Sequence, residues 1–197
     1  MRGPLFTLVR SATKCAWAIR DDVPSDVAEE IAALARQEPP IGDLRVAPVH
    51  AGEYLASSGG QLGFNGPAFT FPDRLPPTSG IVQVEDERQL QRNFRGWERG
   101  EIGAGRAPVM AVIEDGYPVS ICFCGRRSDN AASAGLETAE GFRGRGFGPR
   151  VTAAWAVAIR ATGRVPLYSA AWSNAPSLAV TRKLGLIAHA SFWSVSE

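Results

Sequence analysis

The chain has 197 residues, 45% of them hydrophobic and 21% charged, and 21 Lys+Arg set against 20 Asp+Glu leave a formal net charge of +1. That balance gives no field that gathers nucleic acid or an anionic membrane over the whole surface, so any phosphate site must be a local constellation. The composition is that of an ordinary globular protein, long enough for one good core plus a sizeable extension.

The first stretch, Met1–Arg20, is mildly apolar, but Arg10 and Lys14 interrupt it and no small-residue cleavage pattern follows. No run approaches the roughly 18 apolar residues of a membrane span. The expected compartment is therefore the cytoplasm, with no membrane partner. Ser25 is placed to cap a helix that carries Val27, Ile31 and Leu34 at helical spacing, and Pro39–Pro40 ends it. Residues 41–80 are rich in Gly and Pro. Within them, Gly66-Pro67-Ala68-Phe69-Thr70-Phe71-Pro72 reads as an edge strand or an ordered loop, because Pro cannot serve a central strand. Residues 1–80 thus read as a helical and irregular extension.

The pattern sharpens from residue 81. Ile81–Val84 is a short apolar strand. Asp86 and Gln89 resemble a capping box, and the helix they open carries Leu90, Phe94 and Trp97 as a stripe. Pro108–Ile113 and Tyr117–Cys124 flank Asp115-Gly116, a strong type I′ hairpin signal. A strand follows over Ala134–Ala139, then a glycine-rich turn, then a helix from about Pro149 to Thr162 with Val151, Trp155, Ala158 and Ile159 on its inner face. Gly163 stops that helix. Val165–Ala171 is a strand, Ser173 or Asn174 caps a helix running to Leu184, Gly185 stops it, and Leu186–Val195 is the last strand. The order over 81–197 is β-α-β-β-β-α-β-α-β, a mixed sheet with helices interleaved.

Cysteine usage agrees with a reducing compartment. Cys15, Cys122 and Cys124 are an odd number, which argues against a disulfide framework. Cys122 and Cys124 lie two apart in a strand, share one sheet face, and read as small buried hydrophobes. His50 and His189 are isolated, so no metal site is expected.

The segment that carries chemistry is Leu136-Glu137-Thr138-Ala139-Glu140-Gly141-Phe142-Arg143-Gly144-Arg145-Gly146-Phe147-Gly148-Pro149. A strand runs into a turn with glycines at alternate positions, and a helix opens at once. Glycines let backbone approach a ligand, and the helix start offers free N–H groups and the positive end of its dipole, which together suit a pyrophosphate. Arg143, Arg145 and Arg150 add positive charge. A P-loop would need Gly-Lys-Ser/Thr, which is missing. A dinucleotide fingerprint would need a third Gly where Pro149 stands and an acid at the end of the next strand, which Val165–Ala171 lacks.

Arg143-Gly144-Arg145-Gly146-Phe147-Gly148 resembles the Arg/Gln-x-x-Gly-x-Gly/Ala signature of the GNAT acetyltransferases. Asn174-Ala175-Pro176-Ser177-Leu178-Ala179-Val180-Thr181-Arg182-Lys183-Leu184-Gly185-Leu186 resembles that family's second signature, in the right order and at the right distance. The resemblance covers about 81–197 and implies a GNAT-like α/β (α+β) fold. Its sheet would be mixed and mostly antiparallel, with a V-shaped splay between the central strands and flanking helices, and residues 1–80 would be an added module.

The resemblance further implies acetyl-CoA as cosubstrate and a primary amine as acceptor. Thr138 and Ala139 would pair through their backbone with the pantetheine arm. The amides of Arg143, Gly144, Arg145, Gly146, Phe147 and Gly148 would hold the pyrophosphate. Asn174, with Ser177 nearby, would bond the pantetheine region. The amine would attack the thioester directly, with a backbone N–H near Thr138 stabilising the oxyanion and a base accepting the ammonium proton. Two positions depart from the family. Thr181 stands where many relatives have a Tyr acid, which leaves Tyr168 as the substitute. Ser169 stands where many have a Glu base, which leaves Glu137 as the first candidate and Glu140 as the second. Trp155 reads as core. Trp172, Phe69 and Phe71 are candidates for the acceptor pocket. The balanced charge favours a small amine, and either a monomer or a homodimer fits. The alternatives are a catalytically inactive CoA-binding sensor or scaffold, and an acyltransferase using another acyl-CoA.

Overall fold

A computed structural model describes residues 3–197; Met1 and Arg2 of the N-terminal segment lie outside the described residues. The fold is mixed α+β with a mostly antiparallel pairing of strands. In chain order the elements are β1 (Phe6–Arg10), β2 (Cys15–Ile19), α1 (Ser25–Ala35), α2 (Ala51–Ser58), β3 (Gln61–Thr70), β4 (Val82–Val84), β5 (Val109–Glu114), β6 (Tyr117–Arg127), β7 (Ala131–Thr138), α3 (Phe147–Ala161), β8 (Val165–Ser169), α4 (Ala175–Lys183) and β9 (Ile187–Ser196). They form two compact units. One comprises, of the described residues, those up to Phe69 together with Ser169–Leu178 and Ala188–Glu197, the other Thr70–Tyr168 and Ala179–Ile187. Among the described residues no helix is long and apolar enough to cross a membrane, and no group of three or more potential metal ligands occurs.

In the first unit β1 lies between β2 and β9, antiparallel to both, with β3 beyond β9. The alternation of β1 buries Phe6, Leu8 and Arg10. These side chains meet Ile31 and Ala35 of α1, Tyr54 of α2, and Trp193 and Val195 of β9. The rings of Phe6 and Tyr54 sit 4.6 Å apart, tilted. Sequence patterning did not show β1 and β2, and the physical reason is Arg10. A charged residue stands at an inward position, where its Nη1 pairs with buried Glu38 at 3.2 Å and its Nη2 donates to the Val46 carbonyl at 2.6 Å. Glu38 also accepts from the amides of Val49 and His50 and from the Tyr54 hydroxyl. One ion pair thus pins the chain between α1 and α2. The glycines of β3 mark close approach within a strand, not a loop. A Cβ on Gly66 would run into the Ala170 carbonyl, and one on Gly63 into Ser196 Oγ. Ser25 begins α1, but Pro24 occupies the cap position and no side chain caps the helix.

In the second unit the strand order is β8-β7-β6-β5-β4, and β7–β8 is its parallel pair. Asp115 (φ 50) and Gly116 (φ 79) both take positive φ in the β5–β6 turn, as a type I′ hairpin requires. α3 covers one face of this sheet, burying Val151, Trp155 and Ile159. Cys122 and Cys124 are buried on that face, where desolvation pushes both thiols up. Among the described residues Thr152 Oγ1 and Trp155 Nε1 find no nitrogen or oxygen partner, and the two sulfurs are their polar neighbours. The opposite face carries Val84, Leu90, Phe94, Trp97, Val109, Ala111, Ile121 and Phe123. The stripe Leu90, Phe94 and Trp97 is buried as expected, yet it sits on turns rather than a full helix. Asp86 accepts from the Arg88 amide at 3.0 Å, a 3-10 turn spans Glu87–Gln89, and Trp97 N bonds Phe94 O in a three-residue step. Gly96 and Gly100, poor helix formers, interrupt propagation there.

Candidate functional site

The second unit brings β7, the glycine turn and the start of α3 together. The parallel ladder between β7 and β8 pairs Ala131 with Val165, Ala132 with Pro166 and Ser133 with Leu167, and it ends there. β7 continues to Thr138. This is the V-shaped splay expected from sequence. Along the antiparallel β6–β7 ladder the hydrogen-bonding pairs alternate. The Ala139 amide donates to the Val119 carbonyl at 2.9 Å, which fixes the parity: Glu137 and Gly135 point their peptide groups at β6. Leu136 and Thr138 therefore aim theirs to the opposite side, where the ladder has ended. The Thr138 carbonyl accepts Arg143 Nε at 3.2 Å. Both backbone groups of Ala139 are engaged, its carbonyl by the Phe142 amide. Leu136, and not Ala139, shares the orientation of Thr138, as the hairpin register and strand parity require.

The two faces of β7 differ. Thr138 Oγ1 lies 2.8 Å from Ser120 Oγ, on the side of Cys122 and α3. Glu137 pairs with Ile121 and shares its face with the aromatic cluster. Its side chain keeps solvent contact, yet its carboxyl is raised above the ordinary range, first by desolvation, with Arg106 lowering it and Glu101 raising it. Glu140 is exposed at the start of the turn.

Gly144 and Gly146 both take φ of 79°, a conformation that L side chains rarely adopt. Gly146 is the N-cap residue of α3, no side chain caps the helix, and its first turn carries no acid. The opening amides of α3 thus lack intrahelical acceptors and form the positive end of the helix dipole, an arrangement suited to an anion. Gly148 sits against Leu136 and Val180, where a Cβ would make ordinary contacts at 3.5 and 3.6 Å. Arg143 and Arg145 are exposed beside the turn, and Arg145 donates to the Gly141 carbonyl and stacks on Phe142. Arg150 is exposed and bonds the Ser79 carbonyl.

The model of the GNAT acetyltransferase family matches residues 81–192, more than half of the chain. The chain belongs to the GNAT acetyltransferase family. No curated protein matches it in sequence. Among solved structures it is similar to a GNAT-family acetyltransferase from Colwellia psychrerythraea, at 15% identity and a TM-score of 0.56 over 92% of this chain and 76% of that one. It is also similar to a GCN5-related N-acetyltransferase-like protein from Streptococcus suis, at 16% identity and a TM-score of 0.54 over 97% and 84%. A candidate GNAT acetyltransferase from Novosphingobium aromaticivorans gives 22% identity and a TM-score of 0.55 over 70% of this chain, which spans 66% of that protein. Likeness at such identities establishes the fold.

Against the GNAT pattern the remaining residues fall as follows. Tyr168 on β8 is 3% exposed and Thr181 on α4 is 4% exposed, so both hydroxyls lie inside the protein. Asn174 precedes α4 in the first unit. Its Oδ1 accepts the Ser177 amide at 3.0 Å, which caps the helix and leaves the side-chain NH2 as donor. Phe69 and Phe71, expected as pocket candidates, are buried core residues; the Phe71 ring sits 6.2 Å from that of Trp155, itself fully buried. Trp172 is half-buried under Arg45, whose guanidinium lies 4.0 Å from the ring centroid, and its Nε1 is buried without a partner among the described residues.

Proposed function

We propose that this GNAT protein transfers an acetyl group from acetyl-CoA to the primary amine of a small molecule. The observation that carries the reading is the ladder that stops at Ser133–Leu167, with the peptide groups of Leu136 and Thr138 on its open side and the strand leading into the Gly144–Gly146 turn. Acetyl-CoA supplies an activated acetyl thioester and two linked phosphates. In this reading Leu136 and Thr138 bond the pantetheine arm as a strand would, and the amides from Gly144 to Gly148 receive the pyrophosphate, with Arg143, Arg145 and Arg150 adding charge. The Thr138 N–H donates to the charge that develops on the thioester oxygen. Glu137 accepts the ammonium proton, directly or through water, so that the amine is neutral when it attacks. Its raised pKa brings it nearer to the range of an efficient base. Asn174 and Ser177 remain proposed contributors to cofactor binding from the family's second signature.

The test is thermal unfolding with and without acetyl-CoA, with NAD as control, followed by thiol release on an amine panel. A ligand at about 100 times its Kd adds roughly 2.7 kcal/mol, a shift of about 5–10 °C for a chain of this size. A shift with acetyl-CoA alone and thiol release with an amine supports transfer. A shift without release on any amine favours the inactive CoA-binding reading, for which Thr181 and Ser169 at the usual acid and base positions speak. No shift from folded protein refutes the cofactor site.

A further inference from the structure

On the Glu137 face of β7 stands a cation held by rings. Phe123 of β6 pairs with Gly135, two residues before Glu137, and its ring lies across that glycine so closely that a Cβ there would be 2.5 Å from Phe123 Cε2. Trp97 meets the same ring edge-on at 4.9 Å. The Arg106 guanidinium sits over both, 5.2 Å from the Phe123 centroid and 5.8 Å from that of Trp97. These cation–π contacts restrain where the guanidinium lies without using up its donors. Arg106 Nη2 reaches Glu101 Oε1 at 3.5 Å, a long, single contact, while Glu101 Oε2 accepts the amide of Glu98 and ties that carboxylate to its own turn. Nε and Nη1 of Arg106 make no hydrogen bond among the described residues, and the side chain is 39% exposed.

We propose that Arg106 determines acceptor specificity by receiving a carboxylate, so that the acceptor is a small amine that also bears a carboxylate, amino-acid-like in its chemistry. The inference rests on the acetyl-transfer reading above. The acceptor's two ends would then meet opposite partners on one sheet face: its ammonium meets Glu137, and its carboxylate meets a guanidinium fork built for bidentate contact. A dication would find Arg106 repelling its second charge, and a neutral amine would leave the fork's donors without an acceptor. The rival reading gives Arg106 a structural role only, holding the segment before β5 against the aromatic cluster.

The experiment measures thiol release from acetyl-CoA by the full chain with amino acids, their carboxamides and the corresponding decarboxylated amines. It is repeated for Arg106→Gln and Arg106→Lys, and the acetyl-CoA-induced thermal shift is recorded for every variant. The carboxamide's amine loses its proton more readily, so intrinsic reactivity runs against the acid. The expected result is a kcat/KM about 10–100-fold higher for the acid than for its amide in the unaltered protein. Arg106→Gln removes that preference mainly through KM, and Arg106→Lys keeps part of it. No preference for the acid overturns the proposal from the unaltered protein alone, whether or not a variant folds. A preference that survives Arg106→Gln also overturns it and favours the structural role. A thermal shift without thiol release on any member of the panel overturns the acceptor assignment and leaves cofactor binding standing. Absence of both shift and release shows that the acetyl-transfer reading itself has failed.

Discussion

Gly146 offers a way to test the phosphate turn by charge alone. It holds φ 79° at the N-cap of α3, and a Cβ there would meet nothing within 4 Å. Asn and Asp are the L residues most at ease in this conformation. Gly146→Asn should therefore fold with a penalty of about 1 kcal/mol. Gly146→Asp should be at least as stable as the Asn variant, because a carboxylate at a helix N-terminus gains roughly 0.3–1 kcal/mol. Binding must run the other way. At a separation of about 4 Å, a carboxylate repels one phosphate charge by about 1 kcal/mol in water and about 4 kcal/mol at an effective dielectric of 20. The Asp variant should then bind CoA between about fivefold and about a thousandfold more weakly than the Asn variant. The gap should narrow as salt is raised towards about 1 M. Titration calorimetry with CoA on both variants reads this directly, with thermal melts as the control for folding. Equal affinities at low salt would refute the placement of the pyrophosphate at this turn.

Four further outcomes follow from the geometry. Glu137→Gln should lower kcat by about 10²–10⁴ while CoA affinity is kept, and the unaltered protein's rate should rise with pH through a Glu137 pKa above the ordinary range; a variant with full kcat moves the base elsewhere. The same shift has a stability sign. A carboxyl raised mainly by desolvation holds its proton more tightly when folded, so its contribution is present below the unfolded pKa and is lost as pH rises through the folded one. The Tm of the unaltered protein relative to Glu137→Gln should fall as pH rises from the ordinary Glu range through the raised Glu137 pKa, and a rise would contradict the assigned cause. Glu38→Ala removes the partner of buried Arg10, and urea unfolding should show a loss of about 3–5 kcal/mol; a loss below about 1 kcal/mol would mean the pair is not desolvated as it looks. Gly135→Ala forces the Phe123 ring away from a Cβ at 2.5 Å while Trp97 and Arg106 hold its other side, and about 1–3 kcal/mol should be lost. A neutral result would show the ring free to move.

The parts of the molecule that were legible in sequence are those where local chemistry and tertiary packing ask for the same residues. Asp115-Gly116 announces its hairpin because both positions need positive φ. The glycine turn announces itself because Gly144 and Gly146 need the same. The parts that were not legible are those where tertiary contacts overrule pattern. β1 hides because Arg10 takes an inward position that Glu38 and the Val46 carbonyl, 28 and 36 residues away, make tolerable. β3 hides because its glycines answer to Ala170 and Ser196, far along the chain. The helix expected after Asp86 becomes turns because three buried side chains can be delivered at the right spacing without an unbroken ladder. In the candidate site, residue types were legible and peptide orientation was not. Ala139 reads as the natural neighbour of Thr138, yet the register turns its amide to Val119 and presents Leu136 in its place. The Arg106 stack was equally hidden, since it joins three segments whose rings meet only after β5 and β6 pair.

The departure at Thr181 bears on whether such a site turns over, and the proton balance of the proposed reaction decides how much. An acceptor that arrives as an ammonium must lose one proton before it attacks, and that loss needs a base. Once attack has occurred, the nitrogen carries one proton more than the amide product keeps. The departing group is an alkyl thiolate, basic enough to take up a proton near neutral pH. The proton that nitrogen must lose and the proton that sulfur can take are therefore the same, transferable directly or through water, and no protein acid is required for the sum to balance. Thr181 and Tyr168, at 4% and 3% exposure, are poorly placed to exchange protons with solvent in any case. The acid is the dispensable partner in this chemistry and the base is not. For this chain the question of activity therefore falls on Glu137, the one carboxylate of β7, whose pKa the structure raises.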